Sequence, residues 1–469
     1  MRFPRAVRWA GVVLLLLAAG VAVAVVYTKN NREVTTSSDE AYQAWRQGLE
    51  NERRFYFKEA RVDFARALQL DPQFAMAMIG LARNSEKPQQ IALTRRASRE
   101  RNRLSEHERL HVDMQQAMLD MDQKRYVETA RKIHEKYPND IRAAMVLARQ
   151  QIDTGKMDDA FQIFGELLAV EPNNADAYNQ IGYYYGYRGD YDRAIENLKK
   201  YQFMAPDQAN PYDSLGEIQA YSGRYDEAIA NCRKALALKS DFFESFNHMG
   251  VAYEGKGEPA AAIENYVRAS QESAMYDGGR IESLMRAFRV AVSADDAALA
   301  RQLMSKMGAM PHDKSFDEQY EIGKAFTAAM IAGAEGRLDE AEKGLLAVRP
   351  KWEAVASKQL KGTTRKPYWA TWNFSLARIR MKAGKVEEAI PLLEEMANPP
   401  NRWADFESRR WVYEGRAMLA EVLARKGDLD RADKLLAENH KWNPSWAPSR
   451  TAELAVAQMH REKVQAASR

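Results

Sequence analysis

The repeat that decides the fold lies in the middle of the chain. Residues 175–208 read "ADAYNQIGYYYGYRGDYDRAIENLKKYQFMAPDQ", and residues 209–242 read "ANPYDSLGEIQAYSGRYDEAIANCRKALALKSDF". When the two are aligned, each has Gly at its eighth and fifteenth positions and Ala at its twentieth. Recurrence at a fixed period of about 34 residues is typical of a repeat architecture built from helix pairs.

The flanking segments 141–174 and 243–276 carry the same pattern. Small residues at the eighth and twentieth positions let two helices approach closely, Gly at the fifteenth permits a sharp turn, and Pro near the end stops the second helix. Positions 7, 8, 15, 20, 24 and 27 hold Leu147, Ala148, Gly155, Ala160, Phe164 and Leu167 in the first segment, and Met249, Gly250, Gly257, Ala262, Tyr266 and Ala269 in the second.

These four tandem units resemble the tetratricopeptide repeat family, of a membrane-anchored bacterial type. Looser copies of the repeat lie before the four units, at 41–74, and after them, around Gly336, Gly384 and Gly427. The resemblance implies an all-α fold, a right-handed solenoid of about ten helix pairs with a capping helix near 448–460, preceded by one transmembrane helix. The predicted divisions are a basic stub at 1–8, an apolar span at 9–27, a flexible tether at 28–38, an N-terminal array at 39–276, a degenerate helix pair at 277–310 and a C-terminal degenerate array at 317–460.

The N-terminal apolar run predicts export. It is uncharged from Trp9 to Tyr27, close to the roughly 20 residues that cross a bilayer. Three arginines precede it, so the positive-inside bias predicts a single-pass anchor in the cytoplasmic membrane with the repeats on the periplasmic side. The alternative is a signal peptide cleaved near Ala24, which would release a periplasmic or secreted protein.

The bulk composition excludes some functions. Three of the four net positive charges are Arg2, Arg5 and Arg8, so the remainder is nearly neutral, which argues against nucleic-acid binding. The single cysteine, Cys232, can form no intramolecular disulfide and leaves the redox compartment open.

Residues 107–111 spell His-Glu-Arg-Leu-His, the H-E-x-x-H spacing of zinc proteases. Ser105 and Glu108 also form a capping box in sequence, which would occupy the glutamate needed as a general base. If a metal bound there, His134 or Glu135 on the next helix would supply the third ligand. We interpret the stretch as an ordinary helix start, with no catalytic residue, metal or cofactor, and keep the zinc-dependent metallopeptidase as the alternative.

The family resemblance also implies a binding surface, because tetratricopeptide arrays bind peptides or proteins on their concave face. The fifth positions of three successive units give a polar ladder of Asn179, Asp213 and Asn247, whose side chains suit hydrogen bonds to an extended peptide. We therefore expect a non-catalytic scaffold for protein or peptide partners, with a self-assembling structural array or homo-oligomer as a further alternative. The remaining predicted contacts are Tyr183, Tyr187, Glu217 and Tyr221.

Two other features leave alternatives open. Five arginines between residues 95 and 103 form either a solvated helix face or a docking site for an acidic partner or anionic lipid. Seven tryptophans after residue 350 either fill gaps between irregular repeats or form a second binding patch.

Overall fold

The chain is helical throughout the part that the structure describes. The computed structural model describes residues 33–273, 277–310, 317–359, 369–398 and 406–467. Within these ranges the chain forms 23 α-helices and no β-strand, which confirms the all-α prediction. The helices are α1 (Asp39–Arg53), α2 (Phe57–Leu70), α3 (Ala75–Arg83), α4 (Lys87–Arg99), α5 (Glu106–Leu119), α6 (Gln123–Lys136), α7 (Ile141–Asp153), α8 (Met157–Val170), α9 (Ala175–Arg188), α10 (Tyr191–Met204), α11 (Ala209–Tyr221), α12 (Tyr225–Leu238), α13 (Phe243–Lys256), α14 (Pro259–Glu272), α15 (Asp277–Ser293), α16 (Ala297–Gly308), α17 (Asp317–Ala334), α18 (Leu338–Gln359), α19 (Trp369–Lys382), α20 (Val386–Ala397), α21 (Phe406–Arg425), α22 (Leu429–Trp442) and α23 (Ala447–Ala467).

The regular repeats fold as the predicted helix pairs, from α7 with α8 to α13 with α14. Their packing depends on the small residue at the eighth position. A Cβ atom placed on Gly250 would lie 2.5 Å from the Tyr266 ring, and one placed on Gly216 would lie 2.7 Å from Cys232 Sγ. Any side chain there would push the two helices of the unit apart, because interiors pack without spare volume.

The turn between paired helices needs a left-handed residue. In the regular units Gly fills it, with φ of 79° at Gly189 and 80° at Gly257. In two irregular helix pairs, α1 with α2 and α5 with α6, the same turn holds Phe55 and Met121, with φ of 63° and 54°. A left-handed conformation costs such residues roughly 1–2 kcal/mol, so these early turns are less favourable than the glycine turns.

The fold divides into two compact units, one ending at Ala143 and the other beginning at Ala144. The first has a core centred on the fully buried Phe64 and Phe74. The second has a core that extends from Tyr191 to Val456. The predicted division of the chain at residues 277 and 317 remains a prediction.

The predicted tether requires a correction, because residues 34–37 pack against the first unit. Thr35 N donates to Glu108 Oε1 at 2.6 Å, Thr36 Oγ1 donates to Asp71 Oδ2 at 2.7 Å, and Val34 is buried. The Thr and Ser residues that read as a polar linker instead satisfy two carboxylates. Residues 28–32 of the tether lie outside the described residues.

The predicted membrane span at 9–27 also lies outside the described residues, as does the basic stub before it. Among the helices that the structure describes, none combines the length and the apolar composition needed to cross a membrane.

The C-terminal helices pack onto the turns of the regular repeats. A Cβ atom on Gly223 would lie 2.6 Å from Asn443 Oδ1, and one on Gly257 would lie 3.2 Å from the Ala447 side chain. The capping helix predicted near 448–460 is present as the longer α23. The sequence predicts a separate C-terminal array. In the structure, the junction between α22 and α23 contacts the glycine turns of the regular repeats.

Tryptophans in this last third mainly fill the core. Trp372, Trp411 and Trp446 are buried, and Trp372 Nε1 donates to the carbonyl oxygen of Leu345 at 2.9 Å. These three support the packing interpretation over a second binding patch.

Candidate functional site

The polar ladder lies on α9, α11 and α13, the first helices of three successive units. Asn179 and Asp213 are buried, with 4% and 3% of their surface exposed, and Asn247 is half-buried. The ladder is therefore less exposed than a row of solvated polar groups would be.

Two oxygens of the ladder lack partners. Asn179 Oδ1 and Asn247 Oδ1 are shielded from solvent and accept no hydrogen bond from any described residue. A buried acceptor left unpaired costs about 1–3 kcal/mol, and such an atom in a native protein calls for an explanation. Both are amide oxygens, so what each lacks is a hydrogen-bond donor.

Next to the ladder, polar side chains from three units form what we call the repeat cluster: Tyr183, Asp213, Glu217, Ser245 and His248. Asp213 Oδ1 accepts from Ser245 Oγ at 2.7 Å and lies 2.9 Å from His248 Nδ1. The other ring nitrogen of His248 lies 3.6 Å from Glu217 Oε1. Glu217 Oε2 accepts from the Tyr183 hydroxyl at 2.6 Å. One imidazole is thus held between two carboxylates.

Burial and charge shift the protonation of this cluster. Burial alone would lower the pKa of His248, but the charges of Asp213 and Glu217 outweigh it and raise the pKa to about 9. Burial, followed by the charge of Asp213, raises the pKa of Glu244 to about 8. At neutral pH His248 is cationic and Glu244 is mostly protonated, so Glu244 is a latent negative charge that an approaching cation would release.

Sequence reasoning missed Glu244, Ser245 and His248. The signal that would have found them is the repeat length, because residues about 34 positions apart in successive units lie side by side. Glu217 follows Tyr183 by 34 residues, and His248 follows Asp213 by 35.

The two remaining predicted tyrosines differ in their surroundings. Tyr187 is half-buried, with its ring centroid 6.2 Å from that of Tyr183. Tyr221 is buried, and its carbonyl oxygen accepts from Asn443 Nδ2 at 3.2 Å. Tyr221, which was predicted as an accessible contact, is therefore a buried side chain, and its backbone is bonded to the C-terminal segment.

A C-terminal helix also occupies the far end of this surface. Arg410 on α21 pairs with Glu254 on α13, with Nη1 2.8 Å from Glu254 Oε2. Arg289 Nη2 reaches the same oxygen at 3.2 Å. Burial, and then the charge of Glu254, raise the pKa of Glu414 to about 7. The polar groups of α13 beyond the repeat cluster are thus neutralised within the chain.

In the first unit, the H-E-x-x-H stretch forms the start of α5. The predicted capping box is present: Ser105 Oγ accepts from Glu108 N at 3.3 Å, and Glu108 Oε2 accepts from Ser105 N at 2.9 Å. Thr35 donates to both oxygens of Glu108, which is 1% exposed. Glu108 is therefore fully engaged and does not face a water held by the histidines, as a metallopeptidase base must.

The two histidines of that stretch meet a residue that sequence reasoning did not name. His107 Nε2 and His111 Nε2 lie 2.8 and 2.7 Å from Asp140 Oδ2. Neither His134 nor Glu135, the predicted third ligands, belongs to this group. We call His107, His111 and Asp140 the histidine cluster.

The basic run before α5 divides between paired and exposed side chains. Arg101 forms a two-pronged ion pair with Asp113, and Arg103 Nη1 donates to Gln73 Oε1 at 2.6 Å. Arg95 and Arg99 are exposed. Docking of an acidic partner or lipid at this run remains a prediction.

Comparison with known families supports the repeats. Residues 163–196 match the family model described as tetratricopeptide repeat, and residues 216–257 match the one described as TPR repeat. These two segments are therefore similar to tetratricopeptide repeats. The two matched segments overlap all four regular units, which confirms the resemblance to tetratricopeptide repeats. The membrane-anchored bacterial type remains a prediction.

Solved structures match the chain only at low similarity. The Cut9–Hcn1 hetero-tetramer of the APC/C has 14% identity over 89% of this chain and 76% of that one, with a TM-score of 0.48. MamA has 22% identity over 34% of this chain and 94% of its own, with a TM-score of 0.28. PilF of Pseudomonas aeruginosa has 15% identity over 47% and 92%, with a TM-score of 0.34. At these values none of them indicates a function for this chain, and no curated protein matches it.

Proposed function

We propose that this protein is a non-catalytic scaffold that binds an extended, basic segment of a partner protein on the surface formed by α9, α11 and α13. Tetratricopeptide repeats generally mediate protein–protein interaction, and they form the regular part of this chain. The observation that carries the proposal is the pair of unpartnered buried oxygens, Asn179 Oδ1 and Asn247 Oδ1.

The chemistry of this surface selects the partner. The two amide oxygens need donors, and the nearby carboxylates of Asp213 and Glu217 are only partly neutralised by the single charge of His248. Because both oxygens are shielded from solvent, the two amide groups must turn toward the surface before a partner's backbone N–H groups can satisfy them. A lysine or arginine side chain of the partner would stabilise the ionised form of Glu244. Opposite charges across an interface favour the correct partner and repel acidic ones.

The chain itself sets the limit of the binding surface. Asn443 donates a hydrogen bond to the Tyr221 carbonyl, and Arg410 forms an ion pair with Glu254. We therefore place the partner contacts between Asn179 and Asn247. Tyr183, Tyr187 and Glu217 then flank the partner.

Fluorescence anisotropy with two labelled peptides tests the binding proposal. We expect an end-capped Lys-Ser repeat peptide to bind and a Glu-Ser repeat peptide of the same length to bind much more weakly. Replacing Asn179 and Asn247 together with Ala should weaken binding by about tenfold or more, since two hydrogen bonds are lost. Asn265→Ala, on the second helix of the 243–276 unit, is the matched control. Equal binding by wild type and the double variant would contradict the proposal.

We further propose that the scaffold is exported and held at the cytoplasmic membrane by residues 9–27, with the repeats on the periplasmic side. The support is the uncharged run itself and the arginines before it. Fractionation of cells that express the full chain should recover it with membranes, and deletion of 9–27 should leave it in the cytoplasm. Recovery of the full chain in the soluble periplasm, shortened near Ala24, would favour the cleaved alternative.

A further inference from the structure

We propose that the histidine cluster is a binding site for a divalent transition metal of the zinc type, with His107 Nε2, His111 Nε2 and Asp140 Oδ2 as its protein ligands. The site has no part in the proposed partner binding and lies in the first unit. Within the described residues these three side chains form the single group whose donor atoms all lie close enough together to hold one ion.

The spacing of the donor atoms fits a metal. The two Nε2 atoms are 3.2 Å apart, and they lie 2.8 and 2.7 Å from Asp140 Oδ2. Ligands at the usual zinc distances of about 2.0–2.2 Å lie roughly 2.9–3.4 Å from one another, for angles between square and tetrahedral. An ion above this triangle therefore needs shifts of only tenths of an ångström.

The ligands are held by ordered elements. His107 and His111 are one turn apart on α5, whose first turn is fixed by the capping box and by Thr35. Asp140 Oδ1 accepts from Ala143 N at 2.9 Å, which aims Oδ2 at the histidines. A hydrogen bond to the second oxygen of a ligating carboxylate is what orients such ligands in known sites.

The surroundings leave a way in for the ion. The His107 side chain is 31% exposed, while those of His111 and Asp140 are 10% and 9% exposed. The ring of Tyr137 packs against His107 with centroids 4.1 Å apart. The site thus combines two buried ligands with one at the surface.

The charges around the site are compatible with a cation. Arg142, whose charge acts on His111, is paired with Glu52 at 2.9 Å, and Lys136 is paired with Glu106 at 2.5 Å. Two imidazoles and one carboxylate match zinc and the neighbouring first-row metals, whereas magnesium and calcium prefer oxygen ligands throughout.

The proposed role is structural. The ion would join the first turn of α5 to the turn between α6 and α7. We do not assign Glu108 the role of a general base in hydrolysis, because both of its oxygens accept hydrogen bonds from Ser105 and Thr35.

Calorimetric titration of the EDTA-treated full chain with ZnCl₂ tests the site. We expect one ion per chain, a higher melting temperature with zinc, and with Co²⁺ the intense visible absorption of a low-coordinate site. Asp140→Asn should bind zinc at least about 100-fold more weakly, since loss of even an outer partner of a ligand costs 10–100-fold. His107→Gln, at the most exposed ligand, should weaken binding likewise, which keeps the test valid if Asp140→Asn fails to fold.

His134→Gln is the matched control, because it alters the histidine that the sequence alone favours as third ligand. We expect its zinc affinity to match that of wild type. The proposal is overturned if wild type binds no zinc, if Asp140→Asn and His107→Gln bind as wild type does, or if His134→Gln is the variant that loses binding.

Discussion

The molecule holds two histidine–carboxylate clusters, one in each compact unit, and they differ in the ratio of the two groups. In the repeat cluster one imidazole, His248, lies between Asp213 and Glu217. In the histidine cluster two imidazoles converge on a single carboxylate oxygen of Asp140.

The pKa values of the two imidazoles are shifted in opposite directions, for different reasons. Excess carboxylate raises the pKa of His248 to about 9, so that its nitrogens are occupied by protons at neutral pH. Burial lowers the pKa of His111, with Asp140 opposing the shift. A neutral imidazole keeps a lone pair for a metal, whereas a protonated one between two acids can only balance charge. The repeat cluster, with its excess of carboxylates, therefore suits a basic partner, and the histidine cluster suits a metal ion.

The largest expected effect comes from removing the imidazole of each cluster in turn. His248→Gln leaves Asp213 and Glu217 without a cation and should lower the free energy of unfolding by about 3 kcal/mol, the usual cost of breaking a buried ion pair. His111→Gln leaves Asp140 paired with His107 and should cost about 1 kcal/mol. Urea unfolding followed by circular dichroism in EDTA measures both. Equal losses would break the contrast between the clusters.

The next effect concerns pH. The pKa of Glu244 in the folded chain is raised from 4.5 to about 8. Its contribution to stability is therefore complete below pH 4.5 and is lost progressively as the pH rises from 4.5 to about 8. Glu244→Gln cannot ionise, so it should flatten this part of the stability curve. A curve that falls equally in both proteins between pH 5 and 8 would show that Glu244 ionises freely.

A smaller effect separates helix capping from metal binding in the first unit. Glu108→Gln should lower the free energy of unfolding by about 1 kcal/mol, because the capping box and the contacts with Thr35 are weakened. Its zinc affinity should match that of wild type. Glu106→Gln, also in the first turn of α5 but exposed, is the control and should change stability less. A loss of zinc binding in Glu108→Gln would show that the capping contacts are also needed to hold the metal ligands in place.

The smallest effect is on the ladder. Replacing Asn179 and Asn247 together with Ala should change the free energy of unfolding by less than about 0.5 kcal/mol, because each substitution removes an acceptor that lacks a partner. A loss of several kcal/mol would mean that these oxygens are satisfied within the chain.

The helices of the regular repeats were predictable because the signal is local. Gly182 and Gly216 mark close helix contacts, and Gly189 and Gly223 mark left-handed turns, all within one period. The ladder positions followed from the same register. The predicted fold therefore holds wherever side-chain size and backbone conformation alone determine the packing.

The contacts that the sequence did not predict join residues of neighbouring repeats or residues that are far apart in the chain. Asp140 follows His107 by 33 residues, so the repeat length itself would have brought them together, whereas the predicted third ligand was His134 or Glu135 on the facing helix. The contact of Asn443 with Tyr221 spans 222 residues. The repeat pattern cannot predict this contact, because the contact depends on where the C-terminal helices pack in three dimensions.

A cross-binding measurement tests the central claim most directly. Zinc and the Lys-Ser peptide are each titrated into wild type, Asp140→Asn and the Asn179→Ala, Asn247→Ala double variant. The account predicts that Asp140→Asn loses zinc and keeps the peptide, while the double variant loses the peptide and keeps zinc. If either protein loses both ligands, or if neither loses any, the assignment of one ligand class to each cluster is wrong.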